Sequence, residues 1–385
     1  MKNSLLYKKL GGQKIQCLAC QRKCLIDKDK VGFCLARKNT GAKLHSLLWG
    51  QITGIQVDPI EKKPFYHFKP GSLVATIGSW GCNFRCKQCL NYSTTWGATN
   101  VLQALAKNPD QGTQINNKDI TPNEIAKQII QAGYQGIAFS YNEPVIWTEF
   151  AAEIAREFKS LAASRQHPVS PFAVFVTNGS WTRQTIDLLS PLIEAANIDL
   201  KGFSEKTYRK MGAFFGEIPE MAKYAQKKGI FIELTTLFIP GINDDPGEIE
   251  DLVNWIVRDL GPDTPWHLSQ YDPQLAPDPE FQKIPFTSPQ ELQRTAGIGE
   301  KAGLHHIYIW PACNALPSNA GRPACNALPS NAGRAPSSHH SWSDTICPHC
   351  RRTVIKRSGG WQPEEIHIKE NNTCKFCDGK LNVIL

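Results

Sequence analysis

GCNFRCKQCLN, from Gly81 to Asn91, is the stretch on which the reading of this chain turns. Cys82, Cys86 and Cys89 stand in a C-x3-C-x2-C spacing directly after an apolar, strand-like run, Leu73 to Trp80. Three thiolates on one tight loop can hold three corners of a cubane iron–sulfur cluster, which leaves the fourth iron open to a substrate or cofactor. A fully ligated electron-transfer cluster would want a fourth cysteine close by, and none lies between Cys89 and Cys313. Gly81 lets the backbone turn sharply into the loop. The competing reading is a zinc site or three incidental thiols, but zinc prefers four closed ligands.

The 385 residues allow one domain of about 200–250 residues plus smaller modules. No apolar run approaches the ~20 residues that span a membrane, and MKNSLLYKKL carries no signal-peptide core. The expectation is a cytoplasmic protein. In a reducing compartment the thirteen cysteines read better as metal ligands than as disulfides. Eleven of them form three clusters: Cys17, Cys20, Cys24 and Cys34; the central three; and Cys347, Cys350, Cys374 and Cys377. Residues 1–43 hold eleven Lys or Arg against two Asp, a local charge of +9 within a total of +8. Such an arm can meet nucleic acid, offset thiolates around a metal, or simply be a solvated surface.

Residues 17–34 read C-x2-C-x3-C-x9-C. Four soft ligands in so short a span suit zinc or a second iron–sulfur cluster, and the spacing alone does not choose between them. Residues 44–72, with Pro59, Pro64 and Pro70, read as an extended lead-in to the main domain.

That domain alternates strand-like and helix-like segments. Strands are expected at 73–79, 136–141, 172–177, 196–200, 230–238, 265–271 and 306–310. Helices are expected at 122–132, 145–163, 182–189, 217–228, 246–260 and 288–302, while 100–120, rich in Asn and Gln, reads as a surface loop. Six or seven successive β–α units imply an α/β fold with a parallel sheet, closed or partly closed into a (β/α) barrel. Ligands of such barrels sit at the C-terminal ends of the strands. The polar residues gather there: the cysteine loop, Asn142-Glu143-Pro144, Asn178-Gly179, Asp199-Leu200-Lys201, Glu233 and Pro240-Gly241.

Residues 311–322 and 323–334 repeat PACNALPSNAGR without a change. Two copies with no apolar pattern do not make a solenoid, so the segment reads as a disordered linker with Cys313 and Cys325 as bystanders. The tail opens with CPHC and closes with CKFCDGK, two C-x2-C knuckles that together make a zinc ribbon. The chain then divides into a cysteine-rich segment (1–45), an α/β core (46–310), a linker (311–343) and a zinc-ribbon module (344–385).

GCNFRCKQCLN, SYNEP, FVTNG, NIDLKGF and ELTTLFIPGIND, in that order, resemble the radical S-adenosylmethionine (SAM) superfamily. More closely they resemble the radical SAM protein of the AmmeMemoRadiSam system, often labelled a homologue of the pyruvate formate-lyase activating enzyme. DPIEKKPFYHFKPGS, the four-cysteine segment and PWHLSQYDP fit that subfamily, and the likeness runs over roughly 17–310. The resemblance implies a [4Fe–4S] cluster on Cys82, Cys86 and Cys89, and Glu143 in the SAM-binding motif. It also implies a reductant such as flavodoxin or ferredoxin, and Memo-like or AMMECR-like partners. Three departures stand out: Gln88 where an aromatic residue usually packs on SAM, Leu90 where the family has Gln, and the repeat after the last strand.

On this reading the cluster cleaves SAM reductively, and the resulting radical takes hydrogen from a protein or small-molecule substrate that no residue identifies. Glu143 is placed to accept from the SAM amino group, with Asn142 beside it. Asn178 and Glu233 are candidates for the SAM carboxylate or ribose, and Pro240-Gly241 for the adenine. Asp199 and Lys201 are the catalytic candidates, or an ion pair at the barrel mouth; Glu233 is equally read as a strand carboxylate paired with a lysine. Two other functions compete. One is an activase that installs a glycyl radical in a partner; the other is a metal-stapled nucleic-acid-binding protein, although residues 1–43 supply only Tyr7 and Phe33 as aromatics.

Overall fold

The polar N-terminal segment builds small antiparallel sheets before the α/β alternation begins. Its strands are β1 (Lys2–Asn3), β2 (Tyr7–Lys9), β3 (Ile15–Cys17), β4 (Leu25–Ile26), β5 (Arg37–Thr40) and β6 (Lys43–Ser46), ordered β1-β6-β5 and β2-β3-β4. Next come β7 (Gly54–Pro59), β8 (Leu73–Gly78), α1 (Thr99–Lys107), α2 (Pro122–Gln131), β9 (Gly136–Phe139), α3 (Thr148–Ser164) and β10 (Phe172–Thr177). The alternation goes on with α4 (Arg183–Leu189), β11 (Ala195–Asp199), α5 (Glu205–Lys210), α6 (Ile218–Lys227) and β12 (Phe231–Phe238). It ends with α7 (Pro246–Trp255), β13 (Trp266–Gln270), α8 (Pro289–Lys301) and β14 (Ile307–Trp310), and the tail adds β15 (Thr345–Ile346), β16 (Thr353–Lys356) and β17 (Glu365–Ile366).

This computed structural model describes residues 2–107, 120–164, 170–310, 342–357 and 362–385. The chain divides into two units, one of residues 1–58, 72–198 and 216–231, the other of 59–71, 199–215 and 232–385. The repeat at 311–334, with Cys313 and Cys325, lies outside the described residues. No helix among the described residues is long and apolar enough to cross a membrane.

In the first unit β8, β9, β10 and β11 pair in parallel, with β7 beside β8. The apolar runs Val74–Ile77, Ile137–Phe139 and Phe172–Phe175 are buried throughout, as expected for a sheet covered on both faces. Thr121 and Glu124 form a reciprocal capping box in front of α2. The stretch 100–120, expected as a loop, begins with α1. Leu102 and Leu105, both buried, give that helix an apolar stripe which its Asn and Gln content concealed.

The N-terminal sheets are tied down by a buried ion pair. Arg37 reaches Glu149 of α3 with two parallel bonds, Nη1–Oε1 at 2.9 Å and Nη2–Oε2 at 2.6 Å, and its Nε donates to the Ile146 carbonyl. The Leu5 amide also donates to Glu149. Burial alone would raise the Glu149 pKa, but the adjacent guanidinium outweighs it and holds the carboxyl below its usual range.

In the second unit β12, β13 and β14 pair in parallel. Glu233 of β12 is fully buried and organises the chain around it. Its carboxylate accepts from the amides of Tyr66, His67 and Phe68 at 3.0, 2.9 and 3.1 Å, and meets His267 Nε2 at 2.7 Å. The apolar-aromatic lead-in PFYHF is thereby stitched to the sheet. The tail joins the same network: Arg357, also fully buried, donates to the Tyr66 carbonyl, while His67 Nδ1 lies 2.6 Å from the Asn382 carbonyl.

Two measurements check these anchors. Glu233→Ala leaves three buried amides without an acceptor and lowers stability by about 3 kcal/mol or more, read as a fall in the urea midpoint. Glu149, with a depressed folded pKa, contributes stability that is present above its unfolded pKa of about 4.3 and is lost as pH falls below that value. Glu149→Gln therefore flattens the acid limb of a stability–pH curve.

Candidate functional site

The strand ends of the first unit converge on the cysteine loop, and asparagines fix its shape. Gly81 has φ 86°, and a Cβ there would meet the Cys34 carbonyl and Leu102 at 3.1 Å, so the position requires glycine. Asn142, after β9, clamps the approach: its Oδ1 accepts from the Ser79 amide at 3.0 Å and from Trp147 Nε1, and its Nδ2 donates to the Gly81 carbonyl at 3.0 Å. Tyr141, at φ 68°, turns the backbone so that Asn142 faces inward.

Glu143 is buried beside it. Its Oε1 accepts from Thr177 Oγ1 at 2.7 Å and the Val145 amide at 3.1 Å, and its Oε2 accepts from the Asn178 amide at 2.8 Å. The Asn178 side chain donates to Asn83 Oδ1 at 2.9 Å, and Asn83 Nδ2 donates to Ser180 Oγ at 2.7 Å. Loop residue Asn83 is thus hydrogen-bonded to the turn after β10. Within the loop, the Phe84 amide points at Cys82 Sγ, Trp96 Nε1 donates to the Cys86 carbonyl and Cys89 Sγ lies 3.4 Å from Thr95 Oγ1. The Cys82 thiol is raised well above its ordinary pKa, first by burial and then by the nearby Cys86 and Glu143 charges. A thiol so placed needs a cationic cofactor to be held as thiolate.

Cys17, Cys20, Cys24 and Cys34 line a common cavity in the same unit. Burial pushes Cys20 up to about 12 and Cys34 to about 11. Arg22 and Arg37 of the basic N-terminal segment line the same cavity.

The remaining candidates belong to the second unit. Asp199 Oδ2 and Lys201 Nζ form an ion pair at 2.6 Å, with the lysine mostly buried. Glu233 is occupied by the three backbone amides and by His267, not by a lysine. Gly241, at φ 73°, shapes the turn after β12; its amide donates to Asp244, while Asn243 braces that turn through the Lys201 and Leu237 carbonyls. In the tail, the ligand atoms of Cys347, Cys350, Cys374 and Cys377 all lie within 4.8 Å of one another, with Cys347–Cys377 at 3.7 Å and Cys350–Cys374 at 3.8 Å. Four sulfurs bound tetrahedrally at about 2.3 Å stand about 3.8 Å apart, so this tail is shaped for one four-thiolate ion. Among the described residues it is the only group of three or more ligands so closely gathered.

Asn83, Thr177 and Ser180 were not singled out in the sequence. The signal was present in NFR and TNGS, polar residues set directly beside a cysteine loop and a strand end.

The family model of the Radical SAM superfamily matches residues 77–256, the part of the chain that carries this loop. The chain is 28% identical to an uncharacterised protein of Methanocaldococcus jannaschii over 386 residues, covering 100% of both. It is 26% identical over 239 residues to a candidate glycyl-radical enzyme activating enzyme of the same organism, covering 60% of this chain and 87% of that one. Among solved structures, a radical SAM methyltransferase from Sphaerobacter thermophilus aligns at 15% identity and a TM-score of 0.42, covering 62% of this chain and 66% of that one. A domain of a pyruvate-formate lyase-activating enzyme from Bacteroides vulgatus aligns at 18% identity and a TM-score of 0.36, covering 46% and 98%.

The tail geometry is checked by metal analysis of the purified full chain. Cys350→Ala is expected to lose one ion per chain and to unfold at lower temperature, whereas Cys313→Ala changes neither.

Proposed function

We propose that this protein is a radical SAM enzyme. The observation that carries the reading is the arrangement of Cys82, Cys86 and Cys89 on one clamped loop beside the buried carboxylate of Glu143. The donor set fits the cofactor: three thiols, no fourth cysteine within the loop, and sulfurs that are not gathered around a single point as the tail cysteines are. A cubane spreads its thiolates around a cluster, so a wider set is what it needs. When bound, a [4Fe–4S] cluster with SAM supplies a one-electron cleavage that yields a carbon radical able to abstract hydrogen.

The chain's own residues bind, orient and shield. Asn142 and Asn83 hold the loop backbone at both sides of Cys82. Glu143 stands next to the loop, where it recognises the amino group of SAM, and Thr177 and the Asn178 amide fix its carboxyl orientation. Asn178 is committed to Asn83 and Ser180, so its part is positioning of the loop. Asp199 and Lys201 remain the candidates for substrate contact, with Pro240-Gly241 as the adenine platform and the strands closing into a partial barrel. The tail cysteines hold zinc in a ribbon, as their tetrahedral spacing favours. A flavodoxin or ferredoxin is the reductant, and the AmmeMemoRadiSam-type subfamily, with its Memo-like and AMMECR-like partners, is the closest reading of the motifs.

The M. jannaschii relative favours glycyl-radical activation as the second reading. It predicts a glycyl radical signal in a partner protein after turnover, where the first predicts none.

The test is anaerobic. Protein reconstituted with iron and sulfide, reduced with dithionite and given SAM is expected to form 5′-deoxyadenosine and methionine, and Cys86→Ala to form neither. Glu143→Gln removes a charged acceptor worth about 1.5–3 kcal/mol, so half-maximal cleavage requires about 10- to 150-fold more SAM. Equal cleavage by wild type and Cys86→Ala would overturn the reading.

A further inference from the structure

The cysteine-rich N-terminal segment has no part in the chemistry above, yet it is built as a site. Cys17, Cys20, Cys24 and Cys34 face one narrow cavity together with Arg22 and Asn83. The segment wraps that cavity tightly. The Cys17 amide donates to the Cys24 carbonyl at 2.9 Å, the Lys23 amide closes a turn onto the Cys20 carbonyl, and Lys23 and Leu35 both adopt positive φ. Left-handed non-glycine residues beside ligand cysteines are the kind of local strain that a bound group over-determines.

The spacing of the thiols separates the two metals that their sequence leaves open. Among the described residues the four tail thiols are the group gathered within 4.8 Å of one another, and the N-terminal four do not form such a group. One ion must draw its ligands to a point; a cubane holds its thiolates apart on its outer corners. The charge balance agrees. Arg22 stacks on Phe33 at 3.5 Å from the ring centroid and donates to the Asn83 carbonyl at 2.6 Å, and Arg85 of the central loop stacks on the same ring at 4.3 Å. Arg22 lies in electrostatic reach of Cys20, Cys24 and Cys34, and also of Cys82. Asn83 lines the N-terminal cavity while its Oδ1 stands 3.8 Å from Cys82 Sγ. Two sets of thiols therefore share a wall made of Asn83, Arg22, Arg85 and Phe33.

We propose that Cys17, Cys20, Cys24 and Cys34 hold a second [4Fe–4S] cluster, ligated by four thiolates and adjoining the central three-cysteine site. With every iron held by protein it offers no corner to SAM, so its chemistry is one-electron exchange. It gives one electron to the central cluster, is itself oxidised by one electron, and is reduced again by a one-electron carrier protein or dithionite. The cluster stands on the N-terminal geometry alone; the exchange rests on the central cluster proposed above.

The full chain is reconstituted with iron and sulfide in three forms: wild type, Cys82→Ala/Cys86→Ala/Cys89→Ala, and Cys20→Ala/Cys34→Ala. Wild type is expected to bind about eight irons and each variant about four. The dithionite-reduced wild type is expected to show an EPR spectrum broadened by spin–spin interaction, and each variant a single sharper signal. The triple variant carries the test even if Cys20→Ala/Cys34→Ala does not fold, because its N-terminal segment is untouched. Loss of all iron in the triple variant, with two zinc ions per chain, would overturn the second cluster. Eight irons without spin–spin broadening would overturn the adjacency. About four irons in both wild type and the triple variant would leave the second cluster standing and remove the central one.

Discussion

A buried carboxylate and two buried asparagines hold the cysteine loop in place, and the chemistry assigned to this chain depends on that clamp. A loop of eleven residues with three thiols has no reason to keep one shape by itself. Asn142 closes on its backbone from one strand end and Asn178 grips Asn83 from the next, while Glu143 ties those two strand ends together. Each of these bonds is buried, so each missing partner would cost about 1–3 kcal/mol. The same polar groups that a cofactor would meet are thus already oriented by the sheet. Preorganisation of this kind is what lets a site bind without ordering itself first.

The second unit uses the same device for a structural end. Glu233 gathers three successive amides and a histidine, and the tail closes over that core through Arg357 and the Asn382 carbonyl. A buried strand carboxylate can therefore mean either a binding group or a knot in the fold. The partners distinguish them. Glu143 lies beside the cysteine loop, whereas Glu233 is surrounded by backbone donors and His267.

Much of this was legible in the residues. The continuous apolar runs of β8 and β10 read as covered strands, the Thr121–Glu124 box announces α2, and the CPHC and CKFC spacing announces the four-thiol group of the tail. What was hidden was long-range or masked by composition. Helix α1 lies in an Asn- and Gln-rich stretch, where two leucines carry the signal. The β-strands of the N-terminal segment are two to four residues long, too short for a period to show. Arg37 and Glu149 are 112 residues apart, and Glu233 finds its amides 165 to 167 residues away, separations that no local pattern encodes. Asn83, unmarked in the sequence between two cysteines, joins the loop to the turn after β10 and lines the N-terminal cavity.

The most direct measurement of the central claim is the EPR spectrum of the anaerobically reconstituted, dithionite-reduced protein before and after addition of SAM. An iron left open by three cysteines takes SAM as its ligand, so the spectrum is expected to shift on addition, and the shift to disappear in Cys86→Ala. A reduced four-iron signal that SAM leaves unchanged would show that the loop presents no open iron, and would contradict the account.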